Sequence, residues 1–255
     1  LLIVVLIIVV LVLIYFLYNS ITGKFEFNNF NSVFQGENLN CIIEESYDIE
    51  EIENLKIKSN LGDIKLKNSE DSALKCEIYG KDVEDVEIKT NNKELNITYS
   101  QKGINLFGNN YKREIILFIP NEFAGNINID SDCGDIDVSN LKKASLDIKQ
   151  DCGDTEIDDI KNVSVDSALG DIKINTINNK CKIESDCGDV KIQDAQIKEN
   201  SSIKSDLGDV KIEKINDIYV DAETDLGEVE IENNNRKSEI ILEIECDCGD
   251  VKIDC

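Results

Sequence analysis

The chain of 255 residues has no histidine, no methionine and no tryptophan, and Pro120 is its single proline. Without histidine, the commonest metal ligand and the one side chain that titrates unperturbed near neutrality are both missing. Histidine-assisted nucleophiles and histidine-containing zinc sites are therefore excluded. Basic residues are also scarce: 27 Lys and Arg stand against 52 Asp and Glu, a net charge of −25. That deficit argues against nucleic-acid binding, which needs cations facing phosphates. It equally disfavours electrostatic docking to an anionic membrane surface. The lack of methionine, an initiator included, predicts that residues precede Leu1. At 41% hydrophobic the composition is that of a folding chain rather than a disordered one.

Charge is absent altogether from the first 23 residues. Leu1–Tyr18 (LLIVVLIIVVLVLIYFLY) holds no Gly or Pro and, as a helix, would run about 27 Å, close to the ~30 Å hydrocarbon core. It exceeds the usual signal-peptide apolar region, and no small-residue cleavage site follows. Tyr15, Phe16 and Tyr18 sit where aromatic rings settle at an interface. The expectation is one transmembrane helix over 1–18, a juxtamembrane linker over 19–46, and an acidic body over 47–255 outside the cytoplasmic membrane.

An internal repeat organises that body. A Leu/Cys-Gly-Asp/Glu unit recurs at Gly62, Gly134, Gly153, Gly170, Gly188, Gly208, Gly227 and Gly249, at intervals of 17–22 residues from Gly134 onward. Five residues before the glycine stand Ile57, Ile129, Ile148, Val165, Ile183, Ile203, Ala222 and Ile244. Four after it stand Leu66, Val138, Ile157, Ile174, Ile192, Ile212, Ile231 and Ile253. Period-two alternation on each side, with a break in parity at the glycine, predicts two half-buried strands joined by a corner. The same residue type returning to the same column predicts stacked coils: an all-β, parallel β-solenoid (β-helix) of about 18–20-residue coils, preceded by the transmembrane helix. The 72 residues between Gly62 and Gly134 leave room for about four degenerate coils. Within them, 81–128 is expected to form irregular or widened coils. The last repeat, ending at Ile253 with no polar cap, predicts an open C-terminal coil and end-to-end self-association.

Two strands and corners of this kind also carry a resemblance. Ile115–Pro120 (IILFIP), Asn126–Val138 (NINIDSDCGDIDV), Ser167–Ile174 (SALGDIKI), Ser185–Ile192 (SDCGDVKI) and Ser205–Ile212 (SDLGDVKI) follow one plan. It resembles the bacterial putative adhesin domain family, a group of unknown function. Its members combine a hydrophobic N-terminal segment, a strand ending in proline, and repeated Ser-x-x-Gly-Asp-aliphatic coils. The resemblance spans roughly Tyr47 to Cys255. It implies the architecture, with no catalytic residue and no metal to carry over.

The residue after each glycine is acidic in every copy: Asp63, Asp135, Asp154, Asp171, Asp189, Asp209, Glu228 and Asp250. Stacking puts like charges about 5 Å apart, at roughly 1 kcal/mol per pair in water. One offset is hydrogen bonding of each carboxylate to the backbone N–H groups of its own corner. Lys65, Lys173, Lys191, Lys211 and Lys252, three residues after the glycine, are expected to neutralise the column in part. The alternative is calcium, held by Asp135, Asp154, Asp171, Asp189, Asp209 and Asp250. The motif lacks the Gly-Gly-x-Gly-x-Asp spacing of calcium-binding repeats, so the structural corner role is preferred and no cofactor is expected. Acids that repeat uniformly along a stack do not form the single cleft of a glycan-cleaving enzyme, so the chain reads as non-enzymatic.

Nine cysteines, an odd number, fit an obligatory disulfide framework poorly. Cys133, Cys152, Cys187 and Cys248 alternate with Leu61, Leu169, Leu207 and Leu226 directly before the glycine, and are expected to point inward as small hydrophobes. The reading is a membrane-anchored envelope or surface module that binds or scaffolds an envelope protein or glycan. A calcium-dependent glycan-binding or glycan-cleaving solenoid, and an envelope-stress scaffold, are the alternatives.

Overall fold

The computed structural model describes residues 40–80, 85–100, 113–232 and 234–254. Leu1–Tyr18 lies outside them; among the described residues no helix is long and apolar enough to cross a membrane. Residues Leu39–Cys255 form one compact unit. Its described residues are all-β, a single sheet of 19 strands, and the one helical turn among them is a 3-10 turn at Ile49–Glu51. The first part of the chain supplies β1 (Asn40–Asp48), β2 (Asn54–Ser59), β3 (Asp63–Ser69), β4 (Ala73–Gly80), β5 (Val86–Asn91), β6 (Glu94–Tyr99) and β7 (Glu114–Pro120). The repeat region supplies β8 (Asn126–Ser131), β9 (Ile136–Val138), β10 (Leu141–Gln150), β11 (Thr155–Ser167), β12 (Ile172–Cys187) and β13 (Val190–Ala195). After them come β14 (Ser201–Leu207), β15 (Val210–Ile212), β16 (Tyr219–Leu226), β17 (Val229–Ile231), β18 (Ile241–Cys248) and β19 (Val251–Ile253).

Each glycine separates a strand before the corner from a strand after it, and both pair in parallel with the equivalent strands of the next layer. Ile129, Ile148, Val165, Ile183, Ile203 and Ile244 meet in one unbroken register. Val138, Ile157, Ile174, Ile192, Ile212 and Ile253 meet in another. All twelve are buried, and each such side chain removed from water contributes roughly 1.5–3 kcal/mol. A third inward column, Leu141, Ile160, Ile177, Ala195 and Ile215, closes the section of each layer. The corner leading to it has no glycine. The strand runs through it in unbroken register, and the irregularity comes after the third column, between Ile160 and Asn162, where the same long strand bends without ending.

Two corrections concern the order of layers. The Gly62 and Gly134 layers are direct neighbours, with β2 on β8 and β3 on β9. No degenerate coils lie between them. The intervening chain doubles back: β6 and β7 form the layer on the other side of β2 and β3. Antiparallel strands extend that end, with β5 against β6, β4 against β7, and β1 against β4. The reversals have local causes. Asn92 and Lys93 both take positive φ, the geometry of a tight hairpin between β5 and β6. After β3, the Ser69 hydroxyl accepts the Asp71 N–H as the chain turns. β7 inserts between β3 and β4, and its continuous apolar run is buried on both faces. β1 carries the folded unit back to Asn40, into the stretch 19–46 expected to be linker.

The C-terminal end shows the same exchange. The Gly249 layer (β18, β19) lies between the Gly208 layer (β14, β15) and the Gly227 layer (β16, β17). Ile253 therefore does not cap an open coil; it is buried between Ile212 and Ile231. The layer left at the end is the Gly227 layer, which carries Asp221, Glu223, Asp225, Glu228, Glu230 and Glu232, all exposed. Asn234 covers part of its edge: the side chain accepts the Val220 N–H at 2.9 Å and donates to the Val220 carbonyl at 2.7 Å. Exposed carboxylates along a strand edge, of which only Glu230 is paired with a lysine (Lys252) among the described residues, oppose pairing with a second copy. The expected stacking through Ile253 is thus replaced by an acidic, partly covered end.

Val251 and Val229 are register partners of one residue type, one internal and one at the end. Val251→Ala is expected to cost about 2 kcal/mol, from two lost methyls in a packed site. Val229→Ala, at a half-exposed position, is expected to cost under about 0.5 kcal/mol. Urea denaturation of both variants checks the layer order; equal costs would contradict it.

Candidate interaction surface at the glycine corner

The corner begins where inward alternation stops. Three residues before the glycine the side chain is still inward and small: Ser59, Ser131, Ser167, Ser185 and Ser205 are all buried. Ser185 and Ser205 donate to the carbonyls of Gly188 and Gly208. In the Gly153 layer a Gln150–Thr155 pair replaces serine and the aliphatic. The Gln150 amide donates to the Gly134 carbonyl at 2.7 Å, and the Thr155 hydroxyl donates to Gln150 Oε1 at 2.6 Å. A buried polar pair is tolerated there because its members satisfy each other.

The next inward side chain stands two residues after the glycine, at Ile64, Ile136, Thr155, Ile172, Val190, Val210 and Val251. Everything between the serine and this position is outside. The column directly before the glycine is therefore outward, which corrects the expectation for Cys133, Cys152, Cys187 and Cys248. In stacking order it reads Leu61, Cys133, Cys152, Leu169, Cys187, Leu207, Cys248 and Leu226. Leu169, Leu207 and Leu226 are 52%, 53% and 70% exposed. Cys152 and Cys187 are exposed, and Cys133 and Cys248 half-buried. Sequence parity misplaced this column because a run of four residues turns the corner without facing the core. The clue available was the serine column: small polar side chains inside mark where the wall narrows and the chain leaves it.

Backbone geometry makes the ribbon rigid. Gly170 has φ of +139°, and a Cβ there would lie 1.9 Å from the Gly153 carbonyl oxygen. Both the conformation and the close approach require glycine. The Gly170 N–H donates to the Cys187 carbonyl at 3.0 Å, and equivalent bonds link Gly134 to Cys152, Gly153 to Leu169, Gly188 to Leu207 and Gly208 to Cys248.

The acidic column forms a second ladder on the same corner. Asp135, Asp154, Asp171, Asp189, Asp209 and Asp250 come together in one line, as their spacing predicted. The hydrogen bonds differ from expectation: each carboxylate serves the neighbouring corner rather than its own. Asp63 Oδ1 accepts the Asp135 N–H, Asp135 Oδ1 the Asp154 N–H, and Asp154 Oδ1 the Asp171 N–H. The series continues through Asp171, Asp189, Asp209 and Asp250, each at 2.9–3.1 Å, and ends on the Glu228 N–H. Glu228 is the sole glutamate of the column and stands in the end layer, where no further corner offers an N–H.

The lysines three positions on do not neutralise this ladder. Lys65 pairs with Glu114 at 2.6 Å, Lys191 and Lys211 with Glu213 at 3.1 and 3.3 Å, and Lys252 with Glu230 at 2.9 Å. Lys173 lies 3.5 Å from Glu156. The hydrogen bond that Lys65 donates to Glu114 raises the Lys65 pKa, and those that Lys191 and Lys211 donate lower that of Glu213. The ribbon of Leu and Cys thus runs between two acidic rows, the aspartate ladder on one side and Asp132, Asp151, Asp186, Asp206, Asp247 and Asp225 on the other. Among the described residues, no group of three or more Cys, Asp or Glu is placed to hold a metal ion.

Comparison with known proteins places this geometry. The family model described as Toastrack DUF4097 matches residues 52–255. A solved structure of a putative adhesin from Bacteroides fragilis is 18% identical, with TM-score 0.54, covering 86% of this chain and 98% of its own. A putative cell adhesion protein from Clostridium sporogenes is also 18% identical, with TM-score 0.42, covering 83% and 98%. At 18% identity the likeness to the Bacteroides fragilis structure is one of fold. No functionally curated protein matches the chain in sequence.

Asp189→Ala removes one acceptor and is expected to cost about 1 kcal/mol, whereas Asp189→Asn keeps the oxygen, relieves like charge and leaves the melting temperature unchanged or higher. Melts in chelator and in excess Ca²⁺ are expected to coincide; a calcium-dependent rise would assign the ladder to the metal instead.

Proposed function

The chain belongs to the Toastrack DUF4097 family, and from that premise we propose that it is a non-enzymatic, adhesin-like interaction module of the bacterial envelope. On this reading the stacked layers are a parallel β-solenoid, anchored in the cytoplasmic membrane through Leu1–Tyr18 and held outside the cytoplasm. The observation that carries the proposal is the Leu/Cys ribbon. Exposed leucines at Leu61, Leu169, Leu207 and Leu226, interspersed with cysteines in one column on a backbone with no freedom to bury them, favour a partner that covers them. The flanking carboxylates select one with an apolar centre and basic margins, which a protein surface supplies more readily than a neutral glycan. The even repetition of the corner acids, each in an equivalent setting from layer to layer, supports binding or spacing over catalysis.

The test is crosslinking in intact cells with wild type and with a Leu169→Asp/Leu207→Asp double variant, alongside a control variant, Lys191→Ala, on the neighbouring row. Loss of the crosslinked species in the double variant alone, with an unchanged melting temperature, is the expected result. Retention in the double variant would overturn the role of the ribbon. External protease shaving of intact cells that leaves the 47–255 body undigested would overturn the extracytoplasmic placement.

A further inference from the structure

We propose that Cys133 and Cys152 form a dithiol–disulfide site, at which a disulfide-bearing oxidant closes a covalent staple between adjacent layers of the corner. The two thiols are free, and register places them face to face. Ser131 opposes Gln150 on one side of them and Ile136 opposes Thr155 on the other, with the same offset in both pairs. The Gly134 N–H donates to the Cys152 carbonyl at 3.0 Å, pinning the rung between. Layers of a parallel stack lie about 4.8 Å apart, inside the ~4.4–6.8 Å range of Cα separations that a disulfide spans. Both side chains belong to the same outward column on successive layers, where the Cys152 thiol is near enough to act on the Cys133 thiol.

No other pair among the described residues has this arrangement. Cys187 stands between Leu169 and Leu207, and Cys248 between Leu207 and Leu226. Cys76, Cys181 and Cys246 are buried. The pair is also reachable: Cys152 is exposed and Cys133 half-buried. Burial first, then the Cys152 thiol and the carboxylates of Asp132 and Asp151, push the Cys133 thiol above its ordinary pKa. Cys152 is the more exposed of the two, so it is the sulfur that an external disulfide reaches first and the attacking one.

The chemistry balances as two exchanges. Cys152 thiolate attacks one sulfur of a small disulfide such as oxidised glutathione, breaking its S–S bond, forming a mixed disulfide and releasing one glutathione thiolate. Cys133, giving up its proton, then attacks Cys152 Sγ and expels the second glutathione. The protons of the two cysteines end on the two glutathione thiols, and the two electrons pass to the oxidant. The product links residues 19 apart in sequence, one coil, which restricts the unfolded chain.

The experiment treats the full chain in detergent with oxidised glutathione at mildly alkaline pH, quenches with acid, and maps disulfides by mass spectrometry. The expected result is a Cys133–Cys152 linked peptide, loss of two titratable thiols, and a melting temperature that rises and returns with reductant. Cys133→Ser should instead trap glutathione on Cys152. A further variant, Leu207→Cys in a Cys133→Ser/Cys152→Ser background, should regain a staple with Cys187 or Cys248, since it recreates the adjacency elsewhere on the ribbon. Persistent glutathione adducts on both native cysteines, or pairing of either with a different cysteine, would overturn the proposal.

Discussion

The contact on which the molecule depends is the seating of each corner glycine on the carbonyl of the corner beneath it. A Cβ at Gly134, Gly188, Gly208 or Gly249 would lie 2.0–2.2 Å from the neighbouring glycine oxygen. Close approach of this kind brings the strands on both sides of the corner into one register, because neither can slide without lifting the glycine. It also forces four consecutive residues outward, since the chain has no room to direct a side chain into the apex. The buried serines, the exposed Leu/Cys ribbon and the aspartate ladder are consequences of that one constraint.

Both ends of the stack exchange their order with respect to the chain. At one end the Gly62 layer is made before the β6–β7 layer outside it, and β8–β9 then returns to its inner side. At the other, the Gly227 layer is made first and the Gly249 layer inserts beneath it. In a simple spiral the terminal strands would be edge strands and the first to fray. Here β18 and β19 gain a partner on each side, and the exposed layer is tied down by chain continuing from both of its ends. The exchange therefore moves the weakest element of a solenoid away from the end of the described chain.

The inward columns were legible because an aliphatic residue at fixed distance from a glycine has one physical meaning, and Ile129 through Ile244 obey it. The order of layers was not legible, because Ile183, Ile203 and Ile244 are interchangeable as stacking partners. A repeat specifies how any layer packs on any other; it does not specify which neighbours which. The misplacement of Cys133 and its column has a different origin. Period-two parity assumes that alternation runs through to the glycine, whereas at the apex four consecutive residues face outward, including strand-end residues such as Cys187 and Leu207. The membrane-spanning expectation for 1–18 falls outside the described residues, so it stands on hydropathy alone.

The aspartate ladder resolves an apparent conflict between charge and stacking. Each Oδ1 is engaged by a backbone N–H, which would otherwise point from an outward corner with no strand partner, so the hydrogen bond offsets repulsion of roughly 1 kcal/mol per neighbouring pair. Asparagine would accept the same bond without the repulsion, and its absence from the column requires another reason. The ribbon beside it supplies one. A line of exposed Leu and Cys on a rigid wall would adhere to any second copy, but two such lines can meet only by bringing four acidic rows together. On the proposed function, carboxylates would thus oppose self-association of an apolar surface while leaving it accessible to a basic-rimmed partner. On that argument the net charge of −25 is what allows a hydrophobic ribbon to be displayed at all.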